Sequence, residues 1–301
     1  MVVLILCGLG WGASIPMIKV AVSEGYKHFG LIFWQVVISA ILLGAFLIAL
    51  RRPLPLERRH LRMYVVIAII GTILPNSTGF AAAVHLPAGV MALCMALVPM
   101  FAFPIALILG NEGFSWMKLL GLLCGLVGVL LLVLPEASLP DPSLVIFIPL
   151  ALIAPVFYGF EGNYAAKYGP VDLDPIQMLC GASIVACVLT LPLALWSGHW
   201  IDPRFPWGAP DIALIGSSLI HGCVYATYFW MVARGGAVFA AQVSYLVTGF
   251  GLLWSMIFLG ETYSSWIWLA LLIIFLGLFI VQPRKRTALA PVAKPRQNKL
   301  T

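Results

Sequence analysis

Ten apolar runs of about 20 residues, each long enough to cross the hydrocarbon core of a bilayer, follow one another along the chain. They cover residues 2–22, 29–50, 63–84, 87–110, 115–134, 143–164, 175–197, 211–232, 237–259 and 264–282, separated by charged residues, glycine and proline. Lipid offers backbone groups no hydrogen bonds, so runs of this length are expected to be helices. The connections are short, which predicts antiparallel neighbours and leaves no room for a soluble domain. Composition agrees: 62% of the 301 residues are hydrophobic and 9% charged, against roughly 45–50% and about 25% in soluble domains. The predicted fold class is an all-α integral membrane protein of ten transmembrane helices.

The net charge of +6 does not form a nucleic-acid face. The 17 Lys and Arg residues sit in clusters between apolar runs, where they set topology. Arg51, Arg52, Arg58, Arg59 and Arg62 lie between the second and third runs, and six more basic residues lie in the tail 283–301. With ten spans these clusters share a side with Lys118, Lys167 and Arg234, and only Lys19, Lys27 and Arg204 fall opposite. That 14:3 partition predicts a multi-pass protein of the inner (plasma) membrane with both termini, and a disordered basic tail at 283–301, in the cytoplasm. The first run has no basic residues before it and contains Pro16 and Lys19, so cleavage as a signal peptide is not expected.

Six cysteines all lie within apolar runs without a CxxC spacing, and the five histidines show no ligand spacing. No P-loop, GxGxxG turn or nucleophile elbow is present. The expectation is a non-enzyme with no metal and no cofactor. Its partners are a small-molecule substrate and the lipid bilayer, without nucleic acid.

The chain also repeats itself. A shift of 149 residues superimposes Ala88 on Ala237, Glu112 on Glu261 and Gly128 on Gly277. Gly10-Trp11-Gly12 corresponds more weakly to Phe157-Tyr158-Gly159. A five-helix unit has an odd number of crossings, so the second copy is expected to be inverted relative to the first. Inverted repeats mark secondary transporters, because the two halves can exchange inward and outward conformations.

The segments GLGWGASIPMIKVAV, HLPAGVMALCMALVPMF with the following LGNE, and FAAQVSYLVTGFGLLWSMIFLGE resemble the EamA-type repeats of the drug/metabolite transporter superfamily. The resemblance covers 2–134 and 148–282. It implies two inverted five-helix repeats and, in most members, export of amino acids or other small metabolites. Some relatives carry riboflavin, nucleotide-sugars or phosphorylated sugars, so import or facilitated movement of a vitamin or nucleotide-like metabolite is the first alternative, ahead of an intramembrane enzyme or a channel. Members often carry Arg in the second helix where this chain has Gln35, which argues against a strongly anionic substrate. The proline common in their ninth helix is absent from Tyr245-Leu246-Val247-Thr248, whereas the fourth helix keeps Pro99.

Polar groups deep in a span are costly and usually face the bundle interior. Pro75 removes a backbone donor beside Asn76 and is expected to free carbonyls for a cavity. His221, Tyr225 and Tyr228 share one side of the eighth run. The predicted substrate cavity is lined by Trp11, Ser14, Asn76, Tyr158, Glu161, His221, Tyr225, Gln242 and Tyr245. Glu161 and His221 are the candidates for proton coupling. Two bland alternatives stand beside them: a Glu161 that snorkels or pairs with Lys167, and a His221 that makes an interhelical hydrogen bond. Lys19 is read as snorkelling to the interface, with His85 and Arg234 anchoring helix ends. The small-residue pairs Gly8/Gly12, Gly121/Gly125 and Ser218/Gly222 allow close helix approach and are compatible with a homodimer.

Overall fold

The computed structural model describes residues 2–133, 141–170, 172–235, 240 and 243–281, and among these it contains helices, turns and loops but no strand. The basic tail at 283–301 lies outside the described residues. In chain order the helices are α1 (Val2–Ser23), α2 (His28–Ala49), α3 (Arg58–Val66), a π-helical turn (Ile67–Ile73), α4 (Leu74–His85), α5 (Ala88–Met95), α6 (Val98–Ile108) and α7 (Trp116–Val133). A 3₁₀ turn (Pro142–Phe147) then leads into α8 (Ile148–Tyr168), α9 (Pro175–Trp196), α10 (Ala209–Gly235), α11 (Val243–Leu259) and α12 (Ser265–Val281). Among the described residues, seven continuous helical stretches are long and apolar enough to cross a membrane, and three shorter apolar helices lie within α7, α11 and α12.

Local sequence explains the interruptions. Pro99 has no N–H for the carbonyl of Met95 and its ring crowds that turn, and the fourth apolar run accordingly breaks between α5 and α6. Gly110 and Gly260 both adopt positive φ, at +72° and +64°, just beyond α6 and α11. Only glycine takes that conformation without strain, and it turns the chain towards Glu112 and Glu261. Asp174 caps α9 in a capping box with Gln177, and Pro175 occupies the first turn.

Helix α1 packs against α10 and α11, while α8 packs against α4, α5 and α6. Helix α2 lies on α9 and α10, α9 touches α3, α5 meets α11, and α7 pairs with α12. Exchanging α1 with α8, α2 with α9, the 58–85 stretch with α10, the 88–108 stretch with α11, and α7 with α12 returns the same principal neighbours.

Glycine faces permit these contacts. A Cβ at Gly12 would sit 2.8 Å from Phe250 Cβ, and one at Gly277 would sit 2.6 Å from Cys124 Cβ and 2.8 Å from the Gly121 carbonyl. Gly8 faces Leu246, Gly125 faces Met100 and Gly222 faces Leu42 and Ser39. The small-residue pairs are thus occupied within the chain.

At one end of the bundle the arginine-rich loop docks on the loop before α9. Arg52 pairs with Asp174 at 3.0 Å, Arg59 with Asp172 at 2.7 Å, and Gln177 Nε2 donates to the Pro53 carbonyl at 2.6 Å. These exposed pairs orient the loops more than they stabilise them. At the opposite end, Trp200 packs on Phe33 and Trp34, and Phe205 stacks on Trp207.

Candidate functional site

A cavity of about 180 Å³ lies between α1, α2, α4, α5, α6, α8, α10 and α11. Trp11, Ser14, Asn76, Tyr158, Glu161, His221 and Tyr225 all line it. Tyr245 does not: it packs in an apolar cluster with residues of α5 and α12, and α11 presents Val243, Ser244 and Val247 to the cavity instead. Residues 243 and 247 are one helical turn apart and share a face, whereas 245 projects about 160–200° away from them. Gln242 lies outside the described residues. Five polar lining residues are absent from the predicted set: Lys19, Gln35, Ser217, Tyr228 and Ser244.

One polar contact lies deep in the bundle. Glu161 is only 2% exposed, and its carboxylate accepts a hydrogen bond from the Tyr225 hydroxyl. The same hydroxyl lies 3.2 Å from the Gly71 carbonyl, a second acceptor. In an α-helix that carbonyl would bond the N–H four residues on, which is residue 75, and proline has none. The π-helical turn and Pro75 together therefore release an acceptor towards α10. Gly71 is also sterically required, since a Cβ there would fall on Glu161 Oε1 and lie 2.7 Å from Tyr225 Oη. Neither bland alternative for Glu161 holds. It is buried, and Lys167 donates instead to the Leu109 carbonyl at the end of α6.

Around this pair the cavity wall is aromatic. Trp11 on α1 lies 6.0 Å from Tyr225, 5.7 Å from Tyr228 and 6.1 Å from His221, measured between ring centroids. His221 in turn lies 4.9 Å from Tyr225. Tyr158 donates to Asn76 Oδ1 at 2.8 Å, joining α8 to α4 across the cavity. Side chains of this type combine large apolar faces with a few oriented donors and acceptors, as small-molecule sites do.

The other end of the cavity carries its cation. Lys19 does not snorkel away from the bundle. Its Nζ donates to the carbonyls of Ala83 at 2.8 Å and Val84 at 3.3 Å, in the last turn of α4. These carbonyls have no intrahelical donor, and a cation there also complements the helix dipole. Next to it, Glu261 caps the start of α5, accepting from the N–H groups of Ala88 at 2.8 Å and Gly89 at 3.0 Å, and from the Tyr263 hydroxyl at 2.6 Å. His85 stacks on Phe147 at 3.8 Å, and Arg234 lies over Trp230.

Among the described residues, no group of three or more His, Cys, Asp or Glu is placed to hold a metal ion.

Known proteins share both the sequence pattern and this architecture. Residues 1–134 and 145–282 each match the EamA-like transporter family. A probable terminal-alkyne amino-acid exporter of Streptantibioticus cattleyicolor is 22% identical over 272 residues, covering 86% of this chain and 84% of that protein. Two uncharacterized transporters of Bacillus subtilis, YoaV and YvbV, are 22% and 25% identical, over 90% and 92% of this chain and 92% and 89% of their own lengths. A solved crystal structure superposes with a TM-score of 0.62 at 18% identity, covering 90% of this chain and 94% of that one, and so shares its fold. With two family matches spanning nearly the whole length of an apolar, multi-helix chain, this multi-pass membrane protein belongs to the EamA-like transporter family.

Proposed function

We propose that the chain is a secondary active transporter, not an enzyme, exporting small metabolites such as amino acids by alternating access. Its ten transmembrane helices form two inverted halves, 2–134 and 148–282, with both termini in the cytoplasm of a cell whose inner membrane houses it. The observation that carries this reading is the central cavity, whose polar wall comes from both halves: Trp11, Asn76 and Gln35 from one, Tyr158, Glu161 and His221 from the other. A cavity at such a seam changes its accessible side when the halves rock. The exchange symmetry of helix neighbours and the exporter of amino acids among the relatives support the same reading.

Coupling falls to Glu161 and His221. A carboxyl buried against one tyrosine hydroxyl can hold or release a proton as the surrounding helices shift, and His221 stands next to the same tyrosine. No cofactor is required; the partners are the substrate and the bilayer.

The test is transport of labelled amino acids in proteoliposomes, with and without an imposed pH gradient. Accumulation driven by the gradient is the expected result, and Glu161→Gln should abolish the gradient dependence. Counterflow indifferent to the gradient overturns the coupling. Absence of movement for every metabolite class overturns transport itself.

A further inference from the structure

We propose that Lys19 is the subsite for a substrate carboxylate, so that the transported class is an organic monocarboxylate with an apolar body, amino acids included. This assignment deepens the transporter reading above and rests on it.

Lys19 is the one Lys or Arg among the described residues that line the cavity. An ammonium has three donors. Two are committed to the Ala83 and Val84 carbonyls, which fixes the head group at the cavity wall and leaves one N–H. No carboxylate forms an ion pair with it among the described residues. Glu261, at the same end, has its oxygens engaged by Ala88, Gly89 and Tyr263. The Glu261 carboxylate lies close enough to offset part of the Lys19 charge but makes no ion pair with it. The remaining N–H of this half-buried cation therefore has no acceptor among the described residues, and an anionic occupant of the cavity supplies one.

The surroundings narrow the class. Ile15, Ile18, Phe80 and Met91 line the cavity with Lys19 and suit an apolar body. One cation balances one negative charge, and a dianion such as a phosphate monoester would keep a second charge uncompensated in an apolar cavity. The Glu161 region is a separate place. Trp11, the α1 residue whose ring neighbours Tyr225, is eight positions before Lys19, or about 12 Å of helix rise. An α-amino acid is too short to bridge the two, so its carboxylate can rest on Lys19 while Glu161 keeps its proton function.

The experiment compares acids with their neutral carboxamides on the full chain. L-Leucine, L-phenylalanine and hexanoate are set against leucinamide, phenylalaninamide and hexanamide, in proteoliposome counterflow and as stabilisers of purified protein in detergent. Wild type should prefer acid over amide by about tenfold or more in KM, equivalent to about 1.4 kcal/mol. Lys19→Gln should erase the preference, read as the ratio of acid to amide KM on one preparation, and Lys19→Arg should retain it. Loss of the α4 cap in Lys19→Gln could lower protein yield, but a ratio of two substrates on one preparation is independent of yield. An acid preference that survives in Lys19→Gln, or a wild type that takes amides equally, overturns the assignment. If nothing is transported yet acids raise the melting temperature of wild type and not of Lys19→Gln, transport falls and the subsite stands. If neither transport nor acid-selective stabilisation is seen, both fall.

Discussion

Tyr225 donates its hydroxyl hydrogen bond to Glu161 over the bare α-carbon of Gly71, joining α10 to α8 at a point where a methyl group would not fit. Removing one partner of a buried hydrogen bond leaves the other unsatisfied and costs about 1–3 kcal/mol, whereas removing both costs less than the sum. Tyr225→Phe and Glu161→Leu, which lacks an acceptor, should therefore each lower the melting temperature of purified protein by a few degrees. The double variant should fall short of additivity by about 1 kcal/mol or more. Strict additivity in this cycle would show that the two side chains do not interact.

Glu261 accepts hydrogen bonds from the first two amides of α5 and lies beside a cavity-lining residue, Ala88. Loss of a helix cap typically costs about 0.5–2 kcal/mol. Glu261→Ala is expected to destabilise by about that amount, and Glu261→Gln by less, because one amide oxygen can still accept. A melting curve unchanged in Glu261→Ala would mean that solvent caps α5 equally well.

The helical runs and the deep Glu161–Tyr225 neighbourhood were legible in the sequence for one reason: lipid forces each span to be apolar, so any polar group inside one stands out. Pro75 likewise announced a free carbonyl, found at Gly71. The face of each helix was less legible. Helix α11 buries a face carrying the small and polar residues Ser244, Thr248, Gly251 and Ser255, whereas Tyr245 projects from another. The tyrosine hydroxyl alone therefore did not mark the cavity side, to which Val243, Ser244 and Val247 turn. Lys19 was misread for a related reason. Its direction depends on where α4 ends, and the carbonyls of Ala83 and Val84 are a partner that no spacing within α1 reveals.

Gly12 tests whether the α1–α11 seam is as tight as it is drawn. Gly12→Ala would place a methyl 2.8 Å from Phe250 Cβ and 3.0 Å from the Gly251 nitrogen, and overpacking of this kind costs about 1–3 kcal/mol. Gly216→Ala is the matched control, because its methyl would meet only the flexible Met17 side chain, with the sulfur at 3.5 Å. There the helix gains about 0.5–1 kcal/mol from a stiffer backbone. Opposite signs in the two melting temperatures are expected; a destabilised Gly216→Ala with an unaffected Gly12→Ala would contradict the packing.

Outside the spans, Tyr26 ties the α1–α2 loop to the start of α10 by donating to Asp211 Oδ1 at 2.6 Å. Burial, then the hydrogen bond and charge of Asp211, push the Tyr26 hydroxyl from its ordinary value of 10.0 up to about 12. The folded protein therefore holds this proton more tightly than the unfolded chain does. The resulting stabilisation is fully present below pH 10 and is lost as pH rises from there towards about 12. Tyr26→Phe cannot titrate and lacks the bond. Wild type should melt above Tyr26→Phe at pH 8–9, and the gap should close across the alkaline window, while Asp211→Asn should narrow it at every pH. A gap that stays constant from pH 8 to pH 12 would separate Tyr26 ionisation from the stability of this junction.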